Sequence, residues 1–494
     1  MKNIFCNYCM YKPVCNYNCK LKTENNSDLK IDKIKWINLN KRHSNLMQKK
    51  HESINYTLIK DLFYIEKIQN FAVLYAPLLI RLYIVPLKML KSYKDEIIFK
   101  HEYLDDLIRS GLYLSDETQR NINMQTNKKI SISKNLRLAF SSGCNLNCQY
   151  CYADPNREGK KFNIDSLENF INSLPENFEF SKIELHGNGE PTYNFKNLKN
   201  VIEFFQKKYP GIKFVVQSNG QFDEKVAEWL YKNKIKIGFS FDGPEYIQDK
   251  QRPCYNTEMS SFKKIMNNLE YFIKKGEKPG LISTITRYSL PYMETIYAFF
   301  KDLSIRSLLL NPLIEAGRAD QTRPSQNIYS TSCDLEEFAV RYTGLLKTAF
   351  QDGISLRSRM LFDIMSNPKS FRCEAAHPKF VLLPSNDIVS CCETLEMTGI
   401  TCDNPFVFGK LENQSIKYFK DNIKKLQYRS STNINECKDC QLKWICSGGC
   451  LAESYIRNSD INKPVDEYCK IRLKISQDYF NYLADQMYKN YLMI

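Results

Sequence analysis

Several features are missing from this 494-residue chain, and each absence closes off a class of protein. The opening "MKNIFCNYCM" has no apolar signal-peptide core, which predicts a chain that is not exported and stays in the cytoplasm. No long low-complexity tract is present, and 43% apolar with 13% aromatic content belongs to globular domains rather than to disorder. No clean membrane span is present either. The nearest approach is "FAVLYAPLLIRLYIVPLKML", residues 71 to 90, which contains Arg81, Lys88, Pro77 and Pro86. A central Arg costs roughly 2.5–3.5 kcal/mol in a bilayer, so this stretch reads as a buried β-hairpin turning near Ala76-Pro77. A basic stripe is also lacking. The formal charge of +15 comes from lysines spread along the whole chain, which fits a solvated surface and disfavours nucleic acid as a partner; an acidic peptide remains open.

Cysteine is what the chain has in excess. Eighteen cysteines without an export signal are hard to place in disulfides, because the cytosol keeps thiols reduced, so metal or iron–sulfur ligation is the natural alternative. One spacing occurs twice. "CNYCMYKPVCNYNC" (residues 6–19) and "CKDCQLKWICSGGC" (residues 437–450) both separate four cysteines by two, five and three residues.

The length predicts two to four domains. Between Leu136 and Pro312, short apolar stretches ("LRLAFSS", "KIELHG", "KFVVQS", "KIGFSF", "LISTIT", "SLLLNP") alternate with helical ones at 165–174, 197–209 and 262–276. That rhythm predicts parallel strands joined by right-handed crossovers, with six units forming most of a β/α barrel. The polar and glycine-rich signals "SGCNLNC", "GNGEP", "SNG", "DGP" and "NPLIEAG" all fall after strands, at the catalytic mouth of such a barrel. Earlier, helices are expected around 86–98 and 101–111. Later, 331–365 reads as helical, the region to about 470 as loop-rich, and 470–490 as a final helix.

After the first barrel strand, Cys144, Cys148 and Cys151 are spaced three then two. Three thiolates on one tight loop leave a position open on a [4Fe–4S] cube, or leave a structural zinc site short of one ligand. This CxxxCxxC loop, with Tyr150 before its last cysteine, resembles that of the radical S-adenosylmethionine (AdoMet) superfamily. "GNGEP", with Gly187, Gly189 and Glu190, resembles the family segment that binds the AdoMet amino group. "QSNG", with Ser218 and Asn219, resembles its Thr-Asn-Gly strand end, and "SFDGP" resembles the segment whose serine, here Ser240, faces AdoMet. Taken singly each would be a turn; the resemblance lies in their order on successive strands. It implies a cluster whose open iron holds AdoMet and, once reduced, yields a 5′-deoxyadenosyl radical that abstracts hydrogen from a substrate.

The C-terminal cysteines resemble the SPASM extension of that superfamily. The resemblance implies that Cys437, Cys440, Cys446 and Cys469 hold one auxiliary cluster, and that Cys373, Cys391 and Cys450 hold another. Asn386 stands where a glycine is expected, and Asn tolerates the same left-handed turn. The fourth ligand of the three-cysteine set is absent from its usual place, which leaves that cluster open or completed by Cys392, Cys402 or a thiol from elsewhere. Where sulfatase-maturating relatives have a catalytic aspartate, this chain has Cys392 followed by Glu393. Those two are the candidate catalytic side chains, with Cys392 as ligand, hydrogen donor or buried thiol. Cys6, Cys9, Cys15 and Cys19 suit a third auxiliary cluster or zinc equally. Cys254 and Cys333 read as core cysteines.

The organisation expected is a cysteine motif over 1–21, a small α+β domain over 22–130, a partial (β/α)6 barrel over 131–330 and a SPASM domain over 331–494. Residues 22–130 fit a winged-helix peptide-recognition element, in which a leader would add a strand to a hairpin edge, or a domain that simply covers the barrel. The resemblance implies a peptide maturase that crosslinks a ribosomally made precursor through a thioether or carbon–carbon bond, served by a flavodoxin- or ferredoxin-type electron donor. The alternatives are a formylglycine-forming maturase and a non-catalytic Fe–S electron-transfer module.

Overall fold

A computed structural model of the chain describes residues 37–38, 49–51, 54–126 apart from 60, 69, 80 and 94–95, 133–140, 143–155, 160–319 apart from 177 and 257, 333–361, 368–393 and 403–492. Cys6, Cys9, Cys15, Cys19 and Cys402 lie outside the described residues, and so do the roles expected of them.

All six expected barrel strands form: β1 (Asn135–Leu138), β2 (Lys182–Leu185), β3 (Lys213–Ser218), β4 (Lys236–Ser240), β5 (Gly280–Ile285) and β6 (Ser307–Pro312). Each runs parallel to the next. Helices Ile164–Asn172, Phe195–Lys208 and Ser261–Lys274 match the three expected, and each starts at a side chain that caps it: Asn163, Asn194 and Ser260. Period-two alternation decides which way the strands face. Leu136, Leu138, Ile183, Leu185, Phe214 and Val216 are buried in the main core, while Arg137, Glu184 and Gln217 take the alternate positions.

The sheet goes further than the sequence rhythm does. Ser355–Arg357 (β7) pairs parallel with β6, and Val381–Leu382 (β8) pairs parallel with β1 on the other side. From β8 the sheet continues antiparallel through Asp387–Val389 (β9), Val407–Glu412 (β10) and Ser415–Tyr418 (β11). The order β7-β6-β5-β4-β3-β2-β1-β8-β9-β10-β11 is linear, so this is an open, partial barrel of the expected α/β class. The helix expected over 331–365 is shorter, Leu335–Asp352. Gly353 ends it at φ 68°, and β7 follows. The final helix spans Asp466–Leu492.

The stretch at 71–90 is a hairpin, as its arginine and prolines imply. Strands Phe71–Ala76 and Arg81–Pro86 pair antiparallel around a short 3₁₀ turn at Pro77–Leu79, inside the four-stranded sheet of the N-terminal region. Among the described residues no helix is long and apolar enough to cross a membrane. The helix expected at 86–98 does not form. Leu90–Tyr93 and Glu96–Phe99 make a second hairpin whose two-residue connection lies between Tyr93 and Glu96. Its buried Leu90, Ile97 and Phe99 serve a strand pair, a pattern too short for period alone to separate from a helix. The helix expected at 101–111 spans Leu104–Ser110 and stops at Gly111, φ 80°. Beside it, Lys49–His51, Ile54–Leu58 and Tyr113–Ser115 form a small sheet. This region joins the C-terminal part through Trp444, which is buried in its core and donates its indole N–H to Asp61 at 2.6 Å.

Candidate functional site

The loop after β1 brings Cys144, Cys148 and Cys151 together around Leu146, and three other segments hold it there. Asn147 N–H donates to Pro253 O at 2.8 Å and Gln149 N–H to Gln251 O at 3.1 Å, so the loop pairs with the chain that follows the helix Glu245–Gln251. Cys254, expected to be an ordinary core cysteine, shares a small buried cluster with Leu146 and Cys148, against which Cys144 and Cys151 pack, whereas Cys333 lies in the main core. From the far side of the barrel, Arg318 donates its backbone N–H to Cys151 O at 3.0 Å and its guanidinium to Cys148 O at 3.1 Å and Asn147 Oδ1 at 2.6 Å. Gly317 before it has φ 61°, and a Cβ there would overlap the carbonyls of Cys151 and Tyr152.

Burial pushes the thiols up, Cys148 to about 12 and Cys144 and Cys151 in the same direction. A free thiol there stays protonated at neutral pH, and a bound metal would have to displace the proton. Three thiols on one loop would occupy three corners of an iron–sulfur cube and leave the fourth iron open, whereas a tetrahedral zinc site would lack its fourth ligand.

The loops after β2, β3 and β4 meet at the same mouth. Glu190 is buried and ties two of them together. Its Oε1 accepts from Thr192 N at 3.0 Å, Thr192 Oγ1 at 2.6 Å and Ser218 Oγ at 2.8 Å, and its Oε2 accepts from Asn219 N at 2.7 Å. Burial raises its pKa while these bonds hold the charged form. A carboxylate has about four acceptor sites, so Oε2 keeps capacity for a cation. Asn219 reaches from β3 back to the cysteine loop, donating to Asn145 Oδ1 at 2.8 Å and toward Cys144 Sγ at 3.6 Å. Gly187 lies so close to Ala139 that a Cβ would overlap it, and Gly187 and Gly189 bridge one another. Ser240 accepts from Gln217 Nε2 at 3.1 Å.

Tyr150 is anchored by a residue to which the sequence reading gave no role. Its hydroxyl donates to Asp242 Oδ2 at 2.5 Å, and the Arg252 guanidinium lies over its ring at 5.2 Å while pairing with the same carboxylate at 3.1 Å. Burial drives the Tyr150 pKa well up, so the phenol stays a donor. Asp242 stands within the quoted "SFDGP". Arg252 carried no sequence signal, and for Arg318 only its place just after "NPLIEAG" pointed toward the site.

At the C-terminal side, Asn386 takes φ 70°, the left-handed conformation that its glycine-like position calls for. The thiols fall into two neighbourhoods. Cys437 and Cys440 feel the charge of Cys446 and Cys469, while Cys450 feels that of Cys373 and Cys391 feels that of Cys450. Burial pushes Cys437 and Cys450 up to about 12 and Cys440 to about 11. The two candidate catalytic side chains part company. Cys392 is buried among Ala139, Val381, Leu383, Val389 and Val407, with its sulfur 3.9 Å from the Tyr152 hydroxyl, which donates to Gly187 O at 3.3 Å. Glu393 pairs with Arg359 at 3.7 Å, and its charge reaches Cys373, Cys391 and Cys450.

Residues 138–296 match the model of the Radical SAM superfamily. The chain is 27% identical over 348 residues to a cysteine-type anaerobic sulfatase-maturating enzyme of Clostridium novyi (strain NT), covering 66% of this chain and 88% of that protein. It is 23% identical over 367 residues to the radical SAM cyclopropyl synthase TigE of Paramaledivibacter caminithermalis, covering 69% of this chain and 71% of that one. Among solved structures, histidine-tagged anSMEcpe with bound AdoMet shares the fold at a TM-score of 0.58 and 20% identity, over 73% of this chain and 96% of that one. A purely non-catalytic electron-transfer module is thereby set aside. With its three-cysteine loop at the mouth of a partial barrel, the chain is an enzyme of the radical SAM superfamily, which implies a [4Fe–4S] cluster and AdoMet as its cofactors.

Proposed function

We propose that this enzyme is a peptide maturase that crosslinks a ribosomally made precursor through a thioether or carbon–carbon bond. The observation that carries the reading is the meeting of two cysteine-bearing segments: Tyr152, next to Cys151, touches Cys392, next to Cys391. Chemistry begun at the first loop would therefore lie beside the three-thiol group, which suits a reaction that must remove a second electron after a bond forms. When bound, the cluster and AdoMet supply the 5′-deoxyadenosyl radical.

The chain's own residues position and enclose. Cys144, Cys148 and Cys151 would hold the cluster, with Arg318 and the 251–254 segment fixing their loop. Glu190 would take the AdoMet ammonium on its free acceptor site, with Gly187 and Gly189 allowing close approach and Ser218 and Asn219 holding Glu190 in place. Tyr150, pinned by Asp242, would present a rigid wall for the adenine, and Ser240 would face the ligand from β4. Cys437, Cys440, Cys446 and Cys469 would hold one auxiliary cluster and Cys373, Cys391 and Cys450 another. Cys6, Cys9, Cys15 and Cys19 would bind a further cluster or zinc. The strand-rich region before residue 130 offers sheet edges to a leader peptide, and a flavodoxin or ferredoxin would deliver electrons in the cytoplasm.

A second reading, formylglycine formation on a protein, is favoured by the sulfatase-maturating name of the Clostridium relative. Cys392, where the family resemblance places an aspartate base, speaks against it. The test uses anaerobically reconstituted, chemically reduced enzyme with AdoMet and a candidate precursor peptide. The expected result is 5′-deoxyadenosine together with a product lacking two hydrogens per crosslink, both abolished in the Cys144→Ala/Cys148→Ala/Cys151→Ala variant. A product that captures a hydrazide carries an aldehyde and would establish the second reading instead. Undiminished 5′-deoxyadenosine from the triple variant would overturn both.

A further inference from the structure

Four arginines lie within electrostatic reach of the C-terminal thiols, and two of them, Arg429 and Arg472, are buried. Arg359, Arg372, Arg429 and Arg472 all carry charge that interacts with these cysteines or their neighbouring carboxylates. Two of them have acidic partners close by. Arg472 donates to Glu453 Oε2 at 2.7 Å, and Arg359 faces Glu393 at 3.7 Å and Glu453 at 4.0 Å.

Arg429 is different. It is 0% exposed and heads the largest side chains fully enclosed in the protein. Its Nε donates to Ile461 O at 2.9 Å, its Nη1 to Ser447 O at 3.1 Å and its Nη2 to Gly448 O. Among the described residues no carboxylate pairs with it. The backbone has been shaped to admit it: Gly448 sits at φ 83°, and a Cβ there would overlap Arg429 Nη1. The adjacent Gly449, φ 79°, does the same for Arg472, whose Nη1 would lie 2.8 Å from an added Cβ. Both glycines of "CSGGC" thus make room for an arginine.

A fully buried cation without a counter-charge is unfavourable, and carbonyl dipoles offset only part of the cost of taking it out of water. The hydrogen bonds of Arg429 to Ser447 O and Gly448 O place its guanidinium against the turn between Cys446 and Cys450, and the charges that act on it are those of Cys437, Cys446, Cys450 and Cys373. Metal-held thiolates on either side of residues 447–448 would supply that counter-charge.

We propose that Arg429 is the buried counter-ion of the thiolate-held centres in the C-terminal region and that it raises the reduction potential of the centre formed by Cys437, Cys440, Cys446 and Cys469. This rests on the reading that those thiols hold auxiliary clusters. A fixed positive charge in a poorly polarisable interior favours the more negative, reduced state of a neighbouring centre. The same charge couples metal loading to folding, because the site is electrostatically complete only when loaded.

The test compares Arg429→Gln and Arg429→Lys with the parent chain after anaerobic reconstitution, reading iron per chain and EPR-monitored midpoint potentials. In the Gln variant the reduced fraction of an auxiliary centre at a fixed poise should fall about tenfold, which is ~59 mV for a one-electron couple. The Lys variant, charged but without the planar fork, should stay within about twofold of the parent. If Arg429→Gln instead loses C-terminal iron while Arg429→Lys keeps it, the counter-ion role is again supported. Full iron and unshifted potentials in Arg429→Gln would overturn the proposal, as would equal iron loss in both variants, since the fork's hydrogen bonds and not its charge would then be what matters. A parent chain that binds no iron beyond that lost in the Cys144→Ala/Cys148→Ala/Cys151→Ala variant would sink the cluster reading itself, and so is a distinguishable failure.

Discussion

The two cysteine regions of this molecule are built on opposite plans. At the barrel mouth, Cys144, Cys148 and Cys151 come from one short loop, and the surrounding strand ends merely brace it with Asn219, Arg318 and the backbone of Gln251 and Pro253. At the C-terminal side, thiols from Cys373 to Cys469 are gathered from separate segments around enclosed arginines. A local loop can hold its thiols in register before the rest of the chain is in place. A non-local gathering must overcome loop-closure entropy, and here it also confines charge that only anionic sulfur can balance.

The comparison breaks most clearly at Asp242. This buried carboxylate accepts from Tyr150, from Gln251 Nε2 at 2.7 Å and from Thr284 N at 3.0 Å, and it pairs with Arg252. Asp242→Ala leaves all four without their acceptor, the guanidinium included, and should cost about 3–5 kcal/mol of stability. Calorimetry should show that loss with weakened AdoMet binding, while iron held by the C-terminal thiols is retained. Loss of C-terminal iron to the same extent would mean that the two regions are one cooperative unit.

The converse perturbation is Trp444→Phe. Trp444 stands two residues before Cys446, yet its ring is buried in the N-terminal region's core and its N–H bonds Asp61. Removing the donor should cost roughly 1–2 kcal/mol, near the low end for a hydrogen bond to a charged acceptor that is partly solvated. Limited proteolysis should report the N-terminal region loosened, with AdoMet binding at the barrel mouth unchanged. A variant that weakens AdoMet binding would show that the N-terminal region reaches the mouth through the C-terminal thiol region.

The same contrast explains what could be read from sequence. The cysteine loop, "GNGEP", "SNG" and "SFDGP" were legible because each is contiguous and follows a strand whose alternation is plain. The two C-terminal thiol neighbourhoods were legible only through family resemblance, since nothing in their spacing says which thiols meet. Arg429 was not legible at all: its partners are backbone carbonyls, and its signature is a single glycine nineteen residues later. The strands β7 and β8 escaped notice because three and two residues carry no period, and each is defined by the edge it joins. The helix expected at 86–98 was misassigned for the related reason that apolar runs as short as Leu90–Tyr93 and Glu96–Phe99 fit either period.

The smallest effect lies where the two regions adjoin. Glu184 on β2 pairs with Arg137 across the parallel register at 2.9 Å and with Lys379, just before β8, at 2.7 Å, and Lys379 also reaches Glu374 at 3.0 Å. Burial alone would raise the Glu184 pKa, but Arg137 and Lys379 more than offset it and hold the carboxyl well below its ordinary 4.5; Glu374, also raised by burial alone, is lowered in the same way by Lys379. A carboxyl depressed in the folded state binds its proton more readily when unfolded, so its stabilisation is complete at neutral pH. That stabilisation drains away as the pH falls below the ordinary carboxylate value toward the depressed one. The unfolding midpoint of Glu184→Gln should therefore lie below that of the parent chain at pH 7, and the gap should narrow as acidification proceeds below about pH 4.5. Taking the difference between the two proteins at each pH cancels any acid loss of metal common to both. A gap that stays constant across that range would show that the link between β2 and the β8 segment is held by packing, and that the seam between the two regions is not electrostatic.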